Sequence, residues 1–215
     1  MGEKVTLIRA ILEALNYIIR NIESFSIIGA SIAAIWGVNS WRREAKWKRK
    51  YDLAEEVLSL FYEARDKIRF IRNPFSSPDE GKSRKPSENE TLQQKEALDR
   101  AFITIERYHK CSEIFNKLNA LRYRFMAIFG KNTARPFKDL TNVIKKIYIT
   151  AETLGSYWSK LYTTSNKTIQ NNLMEKIHDY EKIIWAGYED DPIEKELEEI
   201  IENIENICKP ILQGK

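Results

Sequence analysis

A chain of 215 residues, 43% of them hydrophobic and 31% charged, is too apolar for a disordered tail and long enough for one domain plus an appendage. Eight glycines and six prolines are few for this length and favour long helices over many turns. The net charge of +4 hides an asymmetry: residues 42–50 carry six basic side chains and one acid, whereas residues 189–205 carry nine acids and one lysine. Such segregation speaks of orientation or partners rather than of fold.

The first segment, residues 4–22, is an amphipathic helix by pattern. Arg9, Glu13, Asn16, Arg20 and Glu23 recur at spacings of four and three, so they share a face, while Val5, Ile8, Ile11, Leu12, Leu15, Ile18, Ile19 and Ile22 cover the rest. An arginine at its centre costs about 2.5 kcal/mol or more to insert in lipid, so the segment is expected to lie in the membrane interface. A second reading has several copies turning the polar stripe inward to line a pore.

Residues 25–38 follow without a charge. Extended to residues 22–41, they predict one short transmembrane helix, with Trp36 and Trp41 at the interface and Arg42 and Arg43 reaching headgroups. The basic side chains Arg42, Arg43, Lys46, Lys48, Arg49 and Lys50 mark the cytoplasmic side and are candidates for lipid-headgroup contact. Gly29, Ala33 and Gly37 place small residues on one helix face, which predicts self-association through the span. Residues 1–41 thus read as a membrane region of an inner-membrane, single-pass protein. Residues 42–215 read as a cytoplasmic helical bundle.

The bundle reads as an antiparallel arrangement of about five helices, and the whole chain as all-α. The first helix runs from about Arg42 to Arg72 with Ala54, Val57, Phe61, Ala64, Ile68 and Ile71 inward, and stops before Asn73-Pro74. An exposed loop occupies residues 73–89. Ser87 and Glu90 form a capping-box pattern that starts the next helix, which carries Leu98, Ala101, Ile105, Tyr108, Ser112 and Phe115 and ends at Gly130. Pro136 opens a third helix with the cleanest stripe in the chain: Phe137, Leu140, Ile144, Ile147, Ala151, Leu154, Trp158 and Leu161. A fourth spans about residues 167–187, with Ile169, Leu173, Ile177, Tyr180 and Ile184 inward. Asp191 caps the fifth, whose stripe is Ile193, Leu197, Ile200, Ile204, Ile207 and Ile211.

Three passages carry a family resemblance. They are Trp41-Arg-Arg-Glu44 with Tyr51-Asp-Leu-Ala54, then Tyr62-Glu-Ala-Arg65-Asp66 leading to Arg72-Asn-Pro-Phe75, and Asp190-Asp-Pro-Ile193 with Lys209-Pro210. From about Ile27 to Leu212 the chain resembles an uncharacterised family of small prokaryotic proteins with one N-terminal transmembrane helix and a cytoplasmic helical domain. The resemblance implies architecture only and supplies no catalytic residue.

Enzymatic signals are sparse. Both histidines follow a glutamate by three, as Glu106 with His109 and Glu175 with His178. With Glu56 or Glu63 and Glu152 they match the residue types of a di-metal carboxylate bundle. The short connection between the second and third bundle helices, residues 130–135, breaks the symmetry such a site needs. No glycine-rich phosphate loop, Ser-His-Asp set or zinc-spaced cluster is visible, and no cofactor is implied. Cys111 and Cys208 are too few to staple a large domain. Arg65, Lys67, Arg69 and Arg72 form a basic series interrupted by Glu55, Glu56, Glu63 and Asp66, which makes nucleic acid an unlikely partner. The sequence therefore points to a non-catalytic, membrane-anchored interaction or scaffold protein with a protein partner it does not identify. Two alternatives stand beside it: an oligomeric membrane-acting effector in stress or phage defence, and the di-metal enzyme.

Overall fold

The computed structural model describes residues 2–214, with only the backbone described at residues 23–25. Glu23 and Phe25, expected on the polar face and in the apolar run, therefore have side chains outside the described set, and Met1 and Lys215 lie outside it altogether. Among the described residues the fold is all-α, with six helices: α1 (Gly2–Arg20), α2 (Ile22–Ile71), α3 (Leu92–Phe129), α4 (Arg135–Thr163), α5 (Lys167–Ile184) and α6 (Pro192–Leu212). A single 3-10 turn, Lys131–Ala134, joins α3 to α4. The chain divides into two units, Met1–Lys50 and Tyr51–Lys215. The boundary falls inside α2, nine residues beyond the one expected after residue 41.

In the first unit α1 buries none of its residues. Helix α2 restarts one residue later, after Asn21, whose amide bonds the Tyr17 and Ile18 carbonyls. The transmembrane helix expected over residues 22–41 is not found: among the described residues, no helix is long and apolar enough to cross a membrane. The run itself explains this. Fourteen uncharged residues rise about 21 Å against a hydrocarbon core of about 30 Å, and Ser26, Gly29, Ser31 and Gly37 dilute it.

The second unit is a bundle with two cores. The larger joins α2, α3, α4 and α6 around Phe61, Phe125, Phe137, Ile193, Leu197 and Ile204. The smaller joins α3, α4 and α5 around Ala101, Ala151, Leu154, Trp158, Ile177 and Ile184. Helix α4 serves both because its apolar residues alternate by three and four, and Phe137, Leu140, Ile147, Ala151, Leu154 and Trp158 are all buried. The predicted α2 stripe is likewise buried from Ala54 to Ile71. In α5 the inward set is shorter than expected, since Ile169 is exposed at 48%.

Helix ends follow local chemistry. Asp191 caps α6 by accepting from the Ile193 and Glu194 amides, with Pro192 in the first turn. The α3 start differs from expectation. Ser87 and Glu90 make only the return half of a box, the Ser87 amide donating to Glu90 at 2.9 Å, and the same carboxylate is held by Arg84. The complete box is four residues later, Thr91 with Gln94, so α3 begins at Leu92.

Gly155 sets the spacing of α3 and α4. A Cβ there would lie 2.8 Å from the Ala101 Cβ, so only glycine permits this approach. Gly81 is needed for another reason: its φ is +84°, and a Cβ would meet the Asp99 carbonyl oxygen at 2.3 Å.

Candidate functional site

Three buried or half-buried guanidiniums tie the bundle together. Arg72, the last-turn neighbour of α2, is fully buried. Its Nε donates to the Ile183 carbonyl at 2.8 Å, and one terminal nitrogen reaches the Lys182 and Trp185 carbonyls and the Asp191 carboxylate. Those carbonyls are the open C-terminal end of α5, and Asp191 is the cap of α6, so one side chain closes two helix termini. The Ala186 amide returns a bond to the Arg72 carbonyl at 2.8 Å.

Arg107, 3% exposed in mid-α3, does the same for the loop after α2. It donates to the Asn73 and Phe75 carbonyls at 2.6 Å each and forks onto Glu80 at 2.8 and 2.7 Å. The guanidinium holds the Glu80 carboxyl down to about 2. Arg84 bonds Asp99 and both oxygens of Glu90, and holds the Glu90 carboxyl at about 2 as well. The loop of residues 73–89, expected to be simply exposed, is therefore pinned at both ends.

These bonds also account for the histidine motifs. Glu106 pairs with Lys110, which lowers its pKa, and accepts from the Gly81 amide and the Ser83 hydroxyl. His109 is exposed and sits edge-on to Tyr148. Glu175 and His178 are both exposed on α5, with His178 against Tyr188. Among the described residues, no three His, Cys, Asp or Glu side chains converge as metal ligands would. Cys111 and Cys208 are buried and unpaired. Burial raises the Cys111 thiol and pushes Cys208 up to about 12, which keeps both protonated and unreactive. The basic series after Glu63 is in part spent within the bundle or on neighbouring acids. Arg72 is buried, Arg69 pairs with Glu194 and Arg65 with Asp66.

The first unit shows the opposite balance. Large apolar side chains are exposed along its whole described length, among them Leu7 at 64%, Ile19 at 64%, Ile27 at 66%, Ile32 at 63% and Trp36 at 71%. Isolated exposed apolar residues are ordinary, but a contiguous set of this kind marks a surface that something else covers. Gly29, Ala33 and Gly37 are exposed, and a Cβ added at either glycine would meet nothing within 4 Å. Arg42, Arg43, Lys46, Lys48, Arg49 and Lys50 are all exposed. Within α1, Arg9 and Glu13 pair at 3.8 Å on the polar face.

The buried arginines are what sequence reasoning missed. Their partners are mostly backbone carbonyls more than thirty residues away, for which no side-chain pattern exists. The usable signal was local: Arg72 stands beside a helix-ending Asn-Pro, and Arg107 interrupts an apolar stripe. No protein-family model, curated protein or solved structure matches the chain.

Proposed function

We propose that this is a membrane-anchored interaction protein without catalytic activity, its first unit held in lipid at the cytoplasmic face of the inner membrane and its bundle offered to a partner. The observation that carries the reading is the run of exposed apolar side chains before Lys50, in contrast to a bundle that buries most of its own. Each large aliphatic side chain gains about 1.5–3 kcal/mol on leaving water, so the run represents a driving force on the order of 10 kcal/mol or more.

Two details support lipid as the cover. The Ser26 and Ser31 hydroxyls donate to the Ile22 and Ile27 carbonyls at 2.7 and 2.8 Å, which hides their polarity in the helix as an apolar medium requires. The basic side chains of residues 42–50 follow the apolar run directly, where anionic headgroups would hold them. In this arrangement α1 lies in the interface with Arg9, Glu13, Asn16 and Arg20 toward headgroups. The apolar part of α2 inserts, and the open face at Gly29, Ala33 and Gly37 receives a second copy.

Flotation of the full-length protein with vesicles, in the absence of detergent, tests this. The protein is expected to rise with vesicles of phosphatidylcholine and phosphatidylserine. Protein that stays in the dense fraction as a monodisperse species contradicts the reading.

A further inference from the structure

The turn between α3 and α4 carries a charge pattern that the bundle does not use. Residues 114–138 contain no acid, while Lys117, Arg122, Arg124, Lys131, Arg135 and Lys138 fall within them. Arg124, Lys131, Arg135 and Lys138 are exposed. Tyr123 is 64% exposed, with the Arg122 guanidinium 4.8 Å from its ring centre and donating to its hydroxyl at 2.9 Å. Between the two helices lies an open groove of about 560 Å³ lined by Arg122, Tyr123, Met126, Ala134, Arg135 and Lys138. Asp139, which pairs with Arg135 at 3.5 Å, is the acid on its rim. Glu196 and Glu199 of α6 border Arg135 from the other side.

The place of this tip in the bundle follows from the helix register. Arg107 reaches the Phe70 carbonyl, and ten residues later Lys117 pairs with Glu56. Helices α2 and α3 are therefore antiparallel. By the same register Tyr51, the first residue of the bundle, lies level with residues 122–126 of α3, close before the tip. The tip is thus at the end of the bundle where the chain enters it, one residue after Lys50.

From this geometry we infer that the α3–α4 tip is a second lipid-contact surface, which binds the anionic headgroups of phospholipids. The inference rests on the reading of the first unit as membrane-anchored. Cationic side chains interleaved with exposed tyrosine and half-buried Met126, Ile128 and Phe129 suit a headgroup layer, where aromatic rings settle and each lysine or arginine adds attraction. A nucleic-acid backbone would meet the same charges. The membrane is favoured because the tip lies at the end from which the exposed apolar chain departs. Contact there would orient the bundle on the surface, with the loop of residues 73–89 at the far end.

The test uses the full chain with a fluorophore placed at Lys131→Cys or, as the far-end control, at Lys85→Cys; Cys111 and Cys208 are buried. Quenching by headgroup-labelled lipid is expected for the Lys131→Cys label on phosphatidylserine-containing vesicles and not for the Lys85→Cys label. Combining Arg124→Gln and Lys138→Gln is expected to abolish that quenching. Adding Lys131→Gln in the unlabelled chain should weaken partitioning onto the anionic vesicles by at least about tenfold. Circular dichroism should show both variants folded as the parent is. Equal quenching at both labels, or unchanged partitioning of the triple variant, overturns the tip inference while leaving the membrane anchor standing. So does a triple variant that keeps its vesicle affinity but loses binding to duplex DNA. Parent protein that ignores both neutral and anionic vesicles overturns the anchor and the tip together.

Discussion

The bundle buries charges and the first unit exposes grease. In the bundle, Arg72 is fully buried and Arg107 nearly so, each donating to carbonyls and a carboxylate, although Nη1 of Arg72 is buried without a partner. Before Lys50, Ile27, Ile32 and Trp36 are more exposed than not, and in α1 Arg9 pairs with Glu13 on the exposed polar face. The contrast teaches where each region finds its partners. The bundle is closed by its own chain, so its polar interior fixes which helix ends meet. The first unit has an apolar surface that its own chain leaves bare, so its stable state involves a second phase or a second molecule.

The sharpest way to break this contrast is at Arg72. Arg72→Met removes four hydrogen bonds and strands the buried Asp191 carboxylate, and is expected to cost about 3–5 kcal/mol by urea denaturation. Arg72→Lys should not rescue it, because one ammonium cannot span the α5 carbonyls and Asp191 together. Arg9→Ala in α1, an exposed pair, should stay within about 0.5 kcal/mol. Next in size is Gly155→Ala, which drives a methyl into Ala101 and should lower stability by about 1–3 kcal/mol.

A smaller effect is expected at the loop. Arg107 depresses the Glu80 carboxyl, so its contribution is complete above the ordinary value of 4.5 and is lost as pH falls toward about 2. Proteolysis within residues 73–89 should therefore accelerate over that acid range before the bundle melts, and Arg107→Ala should show the same acceleration at neutral pH. The smallest effect on stability is predicted where the largest apolar surface lies. Ile27→Ser with Ile32→Ser and Ile35→Ser should leave the bundle's melting unchanged within about 0.5 kcal/mol while abolishing flotation with vesicles. A bundle that melts earlier in this variant would show that the first unit is part of its core.

Helices α4 and α6 were legible because their signals were local and agreed: Pro136 and Asp191-Pro192 at the starts, and unbroken stripes after them. Helix α3 was legible as a helix but not in its packing. It serves two cores, so Ala97, Thr104, Cys111, Ile114 and Leu118 are buried beside the predicted stripe and blur its period. Its start falls later than expected because Ser87 and Thr91 both open a capping pattern, and only hydrogen bonding distinguishes them. The apolar run of residues 25–38 was legible as apolar; its length, together with the serines and glycines that dilute it, falls short of a membrane crossing. The basic tip lay open in the sequence as a stretch without acids, but its position at the bundle's entry end depends on the α2–α3 register.

The central claim, that lipid covers the first unit, is met most directly at Trp36. With Trp41, Trp47, Trp158 and Trp185 replaced by phenylalanine in the full chain, Trp36 emission should shift to shorter wavelength on adding vesicles and be quenched by brominated acyl chains. Emission that keeps its wavelength and is untouched by the brominated lipid would contradict the account.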